Sequence, residues 1–437
     1  QRAAATRPDR ADGRGAVVGE VLGGTTDRDL KTSPESTRVL VRAGDDQVLE
    51  GEIAIALVAA PACVADAAGG DGVGIAGEPE TAAAINDRRV NESYLPGVKL
   101  PEALRATAAM GATAGRDAYL FVAPAQHARM VLAQLKTVAP PGAPVLLCSK
   151  GIEKGTGLML TEVLGAVWPG ARPAVLSGPS FARDVAEGLP TAVTLASENH
   201  ELGRRWLATV SAPHFRPYLA DDLIGAELGG AVKNVLAIAA GAVIGRGLGD
   251  SARAALIARG FAEVSRLALA RGGKAETLSG LSGLGDLILT ATSPQSRNYS
   301  LGLDLGRGRR LDDILGGRSA VTEGVATAPA VVAMARAAGI EMPICAAVAD
   351  LVSGARGLDE IIAALLARPA LVVSQLQGVT EAVRDRIRKA LLSAEGQASS
   401  RPVAATFGGS EFLAVKAGDY KGYDGLLRNV WGFEKQP

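Results

Sequence analysis

The chain has 437 residues, room for two or three domains, and its 46 Lys and Arg balance 46 Asp and Glu to a formal net charge of zero. That balance excludes a general nucleic-acid binder, whose field would be basic, but leaves room for a local basic site for a small anion. Hydrophobic residues are 48% and charged residues 21%, the range of a soluble globular protein. Three cysteines (Cys63, Cys148, Cys345) and three histidines (His127, His200, His214) supply neither a disulfide framework nor a readable zinc or other metal site. Glycine, at 54 residues, exceeds its usual share of roughly 7%, while Pro at 22 is ordinary. The excess points to tight turns and close backbone approaches rather than low complexity.

Residues 1–50 show no sustained period and read as loop or disorder, with a short strand at 38–41. The start Gln1-Arg2 lacks an apolar signal core, and the stretch 53–68 is too short to span a bilayer and holds Pro61 and Asp66. A cytoplasmic, reducing-compartment protein without a membrane span is expected. From residue 118 apolar runs alternate with helical stretches. The runs are 118–123, 144–149, 173–176 and 192–195; the helices are 126–138, with Met130, Val131 and Leu135 on one side, then 158–167 and 181–187. Such alternation means βαβ units and a parallel sheet. After residue 200 strand signals almost vanish, and helices are expected at 201–210, 221–246, 251–271, 275–281, 299–306, 324–338, 343–353 and 358–368. An amphipathic stretch at 380–392 and an aromatic-rich end make 369–437 an appendage. The fold expected is an α/β Rossmann-like parallel sheet followed by a mainly α-helical domain.

Open parallel sheets bind ligands at the carboxyl ends of their strands. Three such ends carry suitable groups: Pro124-Ala125-Gln126, Ser149-Lys150-Gly151 and Ser177-Gly178-Pro179-Ser180. Each could equally be a plain βα turn; Ser180 reads as the N-cap of the next helix, where an anion would meet free N–H groups. In the strongly apolar helix 226–245, Lys233 precedes Asn234 and is the one charged residue after Glu227. Such a lysine either snorkels to solvent or is a buried amine with a lowered pKa, able to act as a base. Asp286, in Leu281-Ser-Gly-Leu-Gly-Asp286, lies among apolar neighbours and needs a partner unless it caps a helix. Ser296-Arg297-Asn298 offers an Arg fork with hydroxyl and amide donors, which suits a phosphate monoester. Gly72-Val-Gly74-Ile-Ala-Gly77 fits G-x-G-x-x-G, but a poor strand precedes it and Glu78-Pro79 argues against an immediate helix, so it reads as coincidence.

Taken in order, Asn91-Glu-Ser-Tyr-Leu-Pro-Gly97, Ser149-Lys-Gly-Ile152, Ser177-Gly-Pro-Ser-Phe-Ala182, Ala231-Val-Lys-Asn-Val-Leu-Ala-Ile238, Leu281-Ser-Gly-Leu-Gly-Asp286, Ser296-Arg-Asn298 and Val321-Thr-Glu-Gly324 resemble bacterial NAD(P)-dependent glycerol-3-phosphate dehydrogenase over residues 78–368. The resemblance implies interconversion of sn-glycerol 3-phosphate and dihydroxyacetone phosphate in phospholipid-precursor synthesis, with NAD or NADP as cofactor. It implies that Lys233 is the proton acceptor and touches substrate. Lys150 matches a residue contacting substrate and cofactor. Gly178, Ser180, Asp286, Thr290, Ser296, Arg297 and Asn298 match substrate positions; Ala182, Arg297, Val321, Glu323 and Tyr94 match cofactor contacts. A homodimer is left open. The alternatives are a cofactor-deficient relic that still binds the phosphorylated substrate, and a related dehydrogenase acting on another small molecule.

The chain departs from the family at its start. A strand, a Gly-rich turn with an aromatic and a helix should occupy 39–77, yet Val39-Leu-Val41 is followed by Asp45-Asp46, which repel a pyrophosphate, and Gly77 stands where the family often has a cofactor-binding Arg. The domains expected are an atypical 1–77, a Rossmann-like 78–200, a helical substrate domain 201–368 and the appendage 369–437. A shifted reading frame or other sequence error across 1–77 would account for the departure. Resequencing of the coding DNA is expected to restore the turn upstream of Glu78; an intact frame, with peptides from 40–77 detected by mass spectrometry, would overturn this.

Overall fold

The computed structural model describes residues 79–102, 104–316 and 322–367, and the backbone of two strands at Ile53–Ala56 and Val73–Ile75. The chain divides into two compact units, Gln1–Ser353 and Gly354–Pro437. In the first, strands β1 (Ile53–Ala56), β2 (Val73–Ile75), β5 (Arg105–Thr107), β6 (Ala118–Phe121), β7 (Pro144–Leu147), β8 (Arg172–Ser177), β9 (Thr191–Ala196) and β10 (Phe215–Ala220) form one sheet in the order β10-β9-β8-β7-β6-β1-β2-β5; β3 (Val90–Asn91) and β4 (Leu95–Lys99) make a separate hairpin. The central strands are apolar on both faces because both are covered. Tyr119, Phe121, Val145 and Leu147 pack under helices α2 (Ala128–Lys136) and α3 (Leu160–Val167), with Trp168 edge-on to Tyr119. Leu120 and Leu146 face α1 (Pro79–Arg88) and α5 (His200–Val210).

Several expectations are corrected. The first strand is not lost: Ile53–Ala56 pairs parallel with both β6 and β2 inside the sheet. The suggested strand at 38–41, the segment 57–72 and the stretch 380–392 lie outside the described residues. The Gly-rich pattern is no phosphate turn, in line with its reading as coincidence: Val73–Ile75 is strand β2. Helix α1 does follow at once, since Pro79 at its first position gives up an N–H that no helix would bond there. The sheet is not wholly parallel: β8 and β9 pair antiparallel. The link between them holds only α4 (Ala182–Ala186), about 7 Å of helix, too short to carry the chain back along a six-residue strand. Nor does the sheet end at residue 200. Strand β10 escapes pattern reading because Pro217 interrupts it, yet at a sheet edge the missing N–H costs nothing. On α2 the buried side is Ala128, Val131, Leu132 and Leu135, and Met130 faces out.

Beyond the sheet the first unit is helical: α6 (Leu223–Gly245), α7 (Gly249–Ala270), α8 (Ala275–Ser279), a wide turn at Leu281–Gly285, α9 (Asp286–Thr292), α10 (Arg297–Gly306), α11 (Leu311–Gly316), α12 (Glu323–Ala337) and α13 (Pro343–Ser353). Helix α14 (Leu358–Leu366) belongs to the second unit and carries an Arg356–Glu360 ion pair at its start. Asp222 opens α6, its side chain accepting the Gly225 N–H at 2.8 Å. Every residue of α6 from Gly225 to Ala242 is buried. The helix is long and apolar enough to cross a membrane by length and composition, but here other helices and the sheet surround it.

Close approach of backbones makes this possible. Gly241 and Gly245 of α6 meet Gly302 and Gly306 of α10: a Cβ on Gly302 would stand 2.0 Å from the Ile238 carbonyl oxygen, and one on Gly241 2.1 Å from that of Tyr299. Both obstacles are backbone and cannot rotate away. Gly302→Ala is therefore expected to destabilise the protein by about 3 kcal/mol, the upper end for overpacking; an unchanged urea midpoint would show that the two helices can part freely.

Candidate active site

Three adjacent parallel strands, β6, β7 and β8, end side by side and deliver the residues following them to one edge. After β7 comes Lys150, fixed by what precedes it: the Ser149 hydroxyl donates to the Ala123 carbonyl at the end of β6. Lys150 Nζ donates to the Gly178 carbonyl at 2.9 Å and to Asp286 Oδ2 at 2.7 Å. Gly178 needs to be glycine because a Cβ would lie 2.8 Å from Val193 Cα of β9. Ser180 donates to the same Gly178 carbonyl at 3.1 Å. It does not cap α4, which begins at Ala182 with Phe181 in the cap position.

The helical half meets this edge through α6 and α9. The wide turn before α9 forms because Gly283 fits where a Cβ would stand 1.9 Å from the Leu278 carbonyl oxygen, and Gly229 of α6 packs onto it. Asp286 is then the first residue of α9, where the helix dipole favours a carboxylate, and Thr290 lies one turn on, on the same side. Lys233 Nζ donates to Asp286 Oδ1 and to Thr290 Oγ1, the latter at 2.9 Å. Asp286 is wholly buried and the Lys233 side chain only 9% exposed. Of the two readings of Lys233, the structure takes the buried amine. Burial pulls its pKa down to about 7; Asp286 opposes the fall and Lys150 adds to it. Two ammonium groups thus share one carboxylate, leaving an excess of positive charge at the strand ends when both are protonated.

Beside this cluster runs a second hydrogen-bonded chain. Asn298 Nδ2 donates to Asn234 Oδ1 at 3.0 Å, and Asn298 Oδ1 accepts the Gly324 N–H at 3.0 Å. Asn234, Asn298 and the start of α12 are held together, and among the described residues the second N–H of the Asn298 amide has no partner. Ser296 caps α10, accepting the Tyr299 N–H at 3.2 Å. Arg297, the first residue of α10, is exposed and acts electrostatically on Glu323, the first residue of α12. Glu323 Oε1 accepts the Ala125 N–H at 2.9 Å, tying α12 to the end of β6, and burial raises its pKa.

The structure therefore brings Lys150, Gly178, Ser180, Lys233, Asp286 and Thr290 into one bonded cluster, and Asn298 and Glu323 into neighbouring ties. Ala182 opens α4, and Tyr94 lies in the β3–β4 turn, its N–H on Asn91 Oδ1 at 3.3 Å. Val321 lies outside the described residues. Sequence reasoning had missed Gly230, Asn234 as a partner of Asn298, and Thr327. A glycine pair and a buried amide inside an apolar helix were the available signals for the first two.

A dinucleotide has a matching cradle. A Cβ on Gly151 would stand 2.6 Å from Ala125 Cβ and 3.3 Å from Glu323 Oε2; that oxygen and Thr327 Oγ1 are buried and have no hydrogen-bond partner among the described residues. Small residues and free polar atoms at the strand ends suit a planar, amide-bearing group. Among the described residues no cluster of His, Cys, Asp and Glu could hold a metal ion, and Cys148 and Cys345 are free thiols, Cys148 pushed up to about 12 by burial.

Removing the charge of Asp286 while keeping its shape, Asp286→Asn, deletes the negative charge that opposes the effect of desolvation on Lys233. The kinetic pKa of that amine is expected to fall by at least about one unit, visible in the pH profile of kcat/KM. An unmoved profile would mean that Asp286 does not set the charge of Lys233.

The family model for the N-terminus of NAD-dependent glycerol-3-phosphate dehydrogenase matches residues 58–203, and that for its C-terminus matches 222–363. The N-terminal match begins upstream of Glu78, where family sequence was expected to resume. The glycerol-3-phosphate dehydrogenase [NAD(P)+] of Hyphomonas neptunium is 59% identical over 292 residues, 67% of this chain and 87% of that protein; that of Maricaulis maris is 56% identical over 292 residues, 67% and 88%. The crystal structure of glycerol-3-phosphate dehydrogenase from Coxiella burnetii, 36% identical, superposes with a TM-score of 0.70 over 73% of this chain and 99% of that one.

Proposed function

The chain belongs to the NAD-dependent glycerol-3-phosphate dehydrogenase family, and from that premise we propose that it interconverts sn-glycerol 3-phosphate and dihydroxyacetone phosphate with NAD or NADP. The observation that carries the proposal is Lys233, an amine buried on a helix, bonded to Asp286 and Thr290, with a pKa lowered to about 7. Such a group exists in both protonation states near neutral pH, as a reversible acid–base catalyst requires. The relic and the dehydrogenase of another substrate are not favoured, since the relatives at 53–59% identity bear this enzyme's name.

When bound, the nicotinamide cofactor supplies or accepts the hydride. Everything else falls to side chains. In reduction of the ketone, protonated Lys233 gives its proton to the oxygen developing at the carbonyl carbon; in oxidation, neutral Lys233 takes the hydroxyl proton. Asp286 and Thr290 orient Nζ for either role. Lys150, held by the Gly178 carbonyl and Asp286, adds positive charge where the oxyanion develops. Arg297 and the second N–H of the Asn298 amide would hold the substrate phosphate, with Gly178, Ser180 and Ser296 lining its path. Glu323, Ala182, Val321 and Tyr94, with Lys150 and Arg297, would hold the cofactor. The product in the reductive direction is a precursor of phospholipids, and a cytoplasmic location is in keeping with the free thiols.

The test is a spectrophotometric assay with dihydroxyacetone phosphate and each reduced cofactor. Turnover by the unaltered protein is expected, and Lys233→Ala should lower kcat by about 10²–10⁴-fold with circular dichroism unchanged. Near-normal turnover in that variant would remove Lys233 from the mechanism.

A further inference from the structure

Glu227 is an acid that the chemistry above does not use. It lies on α6, six residues before Lys233, and is buried. Its Oε1 accepts the backbone N–H of Thr161 at 3.0 Å and its Oε2 the Thr161 hydroxyl at 2.5 Å. Thr161 is the second residue of α3, so the carboxylate caps that helix from outside, satisfying an N–H that no turn of α3 can bond. Helix α3 packs on the sheet; α6 carries Lys233. The tie therefore joins the half that bears Lys150 to the half that bears the base.

Among the described residues no cation stands against Glu227, and a buried carboxylate so placed is costly; an apolar residue of similar size would pack there more cheaply. The cost is visible in its pKa, raised to about 7 by burial although the Thr161 bonds pull it down. The nearest other charge on α3, Glu162, is of the same sign; it accepts the Met159 N–H at 2.8 Å and pairs with Arg271, the residue after α7, at 2.6 Å.

What the tie controls lies further along the same slanting row of α6. Residues three apart neighbour one another on a helix surface. One step from Glu227 is Gly230, where a Cβ would stand 2.6 Å from Ser177 Oγ and 3.4 Å from Lys150 Cγ, so the stem of Lys150 lies against α6 at this point. One step further is Lys233. The row Glu227, Gly230, Lys233 thus reads as an anchor, a sliding contact with Lys150, and the base. Lys233 is faced by charge from two places only among the groups that shift its pKa, Asp286 of α9 and Lys150 of the strand end. Asp286 and Thr290 pack with α6 in the helical half and would move with it, whereas Lys150 belongs to the sheet half.

We propose that Glu227 is a positioning residue: by capping α3 across the junction it sets how closely α6 presents Lys233 to Lys150, and thereby the charge state and aim of the catalytic amine. The inference rests on the reading of Lys233 as the acid–base group. Loosening the anchor lets the two ammonium groups separate, their repulsion falls, and Lys233 holds its proton to higher pH.

The test uses the full-length enzyme in the reductive direction, with dihydroxyacetone phosphate and saturating reduced cofactor, over a range of pH. Glu227→Leu removes both acceptors at similar volume. It is expected to lower kcat about 10- to 100-fold, the scale of a small misplacement, with KM for dihydroxyacetone phosphate little changed and the fall in rate with rising pH displaced upward. Glu227→Gln can still accept the Thr161 N–H and donate to its hydroxyl, so it should recover most of kcat and the original profile. Thr161→Val keeps the carboxylate and loses one of the two bonds; it should displace the profile in the same direction by less. Should Glu227→Leu fail to fold, the contrast between Glu227→Gln and Thr161→Val decides. Wild-type kcat and pH profile in Glu227→Leu would overturn the proposal. So would a loss of activity in that variant with the profile unmoved, or a profile in Thr161→Val identical to that of the unaltered enzyme. Absence of turnover by the unaltered protein would instead defeat the reading of function.

Discussion

Helix α6 has no solvent face over eighteen consecutive residues, Gly225 to Ala242, and much of the rest of the molecule is a consequence of that constraint. A helix enclosed on all sides must be apolar nearly throughout, and it must let its neighbours come close. The glycines at 229, 230, 241 and 245 supply the second condition: each faces backbone or a functional side chain at a distance that admits no Cβ. The few polar groups left on the helix then acquire unusual properties. Lys233 loses its water and with it part of its affinity for a proton. Asn234 must find an amide partner and finds Asn298, and Glu227 must find donors and finds the free end of α3.

The catalytic cluster is built where this helix meets three strand ends. Neither half contains a complete site. The sheet contributes Lys150 and the Gly178 carbonyl; the helices contribute Lys233, Thr290 and Asp286. One carboxylate reaches across to both lysines, so the geometry of the amine depends on the relative placement of two separately built layers. Further ties cross the same junction, from Glu323 to the Ala125 amide and from Glu227 to Thr161. That a buried and a half-buried carboxylate both take backbone N–H groups has a simple physical basis: strand-to-helix turns and helix starts expose such donors, and burial leaves few other ways to satisfy them.

The glycine excess that first marks the composition has two structural meanings. Gly178, Gly283 and Gly302 stand where backbone crowds backbone, and substitution there collides with atoms that cannot move. Gly115 and Gly247 stand in turns with φ of +70° and +81°, in open space, where the demand is conformational alone. Composition cannot tell these uses apart, because the neighbour that excludes a Cβ at Gly302 is sixty-odd residues away on α6.

Much of the architecture was legible because its signals are local. Apolar runs of four to six residues bounded by Gly, Pro or Ser located β6, β7, β8 and β9, and apolar periodicity located α6, α7 and α13, each within a few residues. The motif residues that gather at the strand ends were likewise legible through family resemblance. What local pattern could not supply was pairing. Whether Ile53–Ala56 joins the sheet, whether β9 runs against β8, and whether the Pro-interrupted β10 belongs to it are settled by hydrogen bonds to distant strands. The same holds at the site. By itself the sequence determined that a lone lysine sits in an apolar helix and that an aspartate follows a glycine-rich turn. Only the tertiary structure decided that these two meet, that Lys150 shares the carboxylate, and that Glu227 braces the helix between them, because a charge takes its meaning from the water it has lost and the partner it has found.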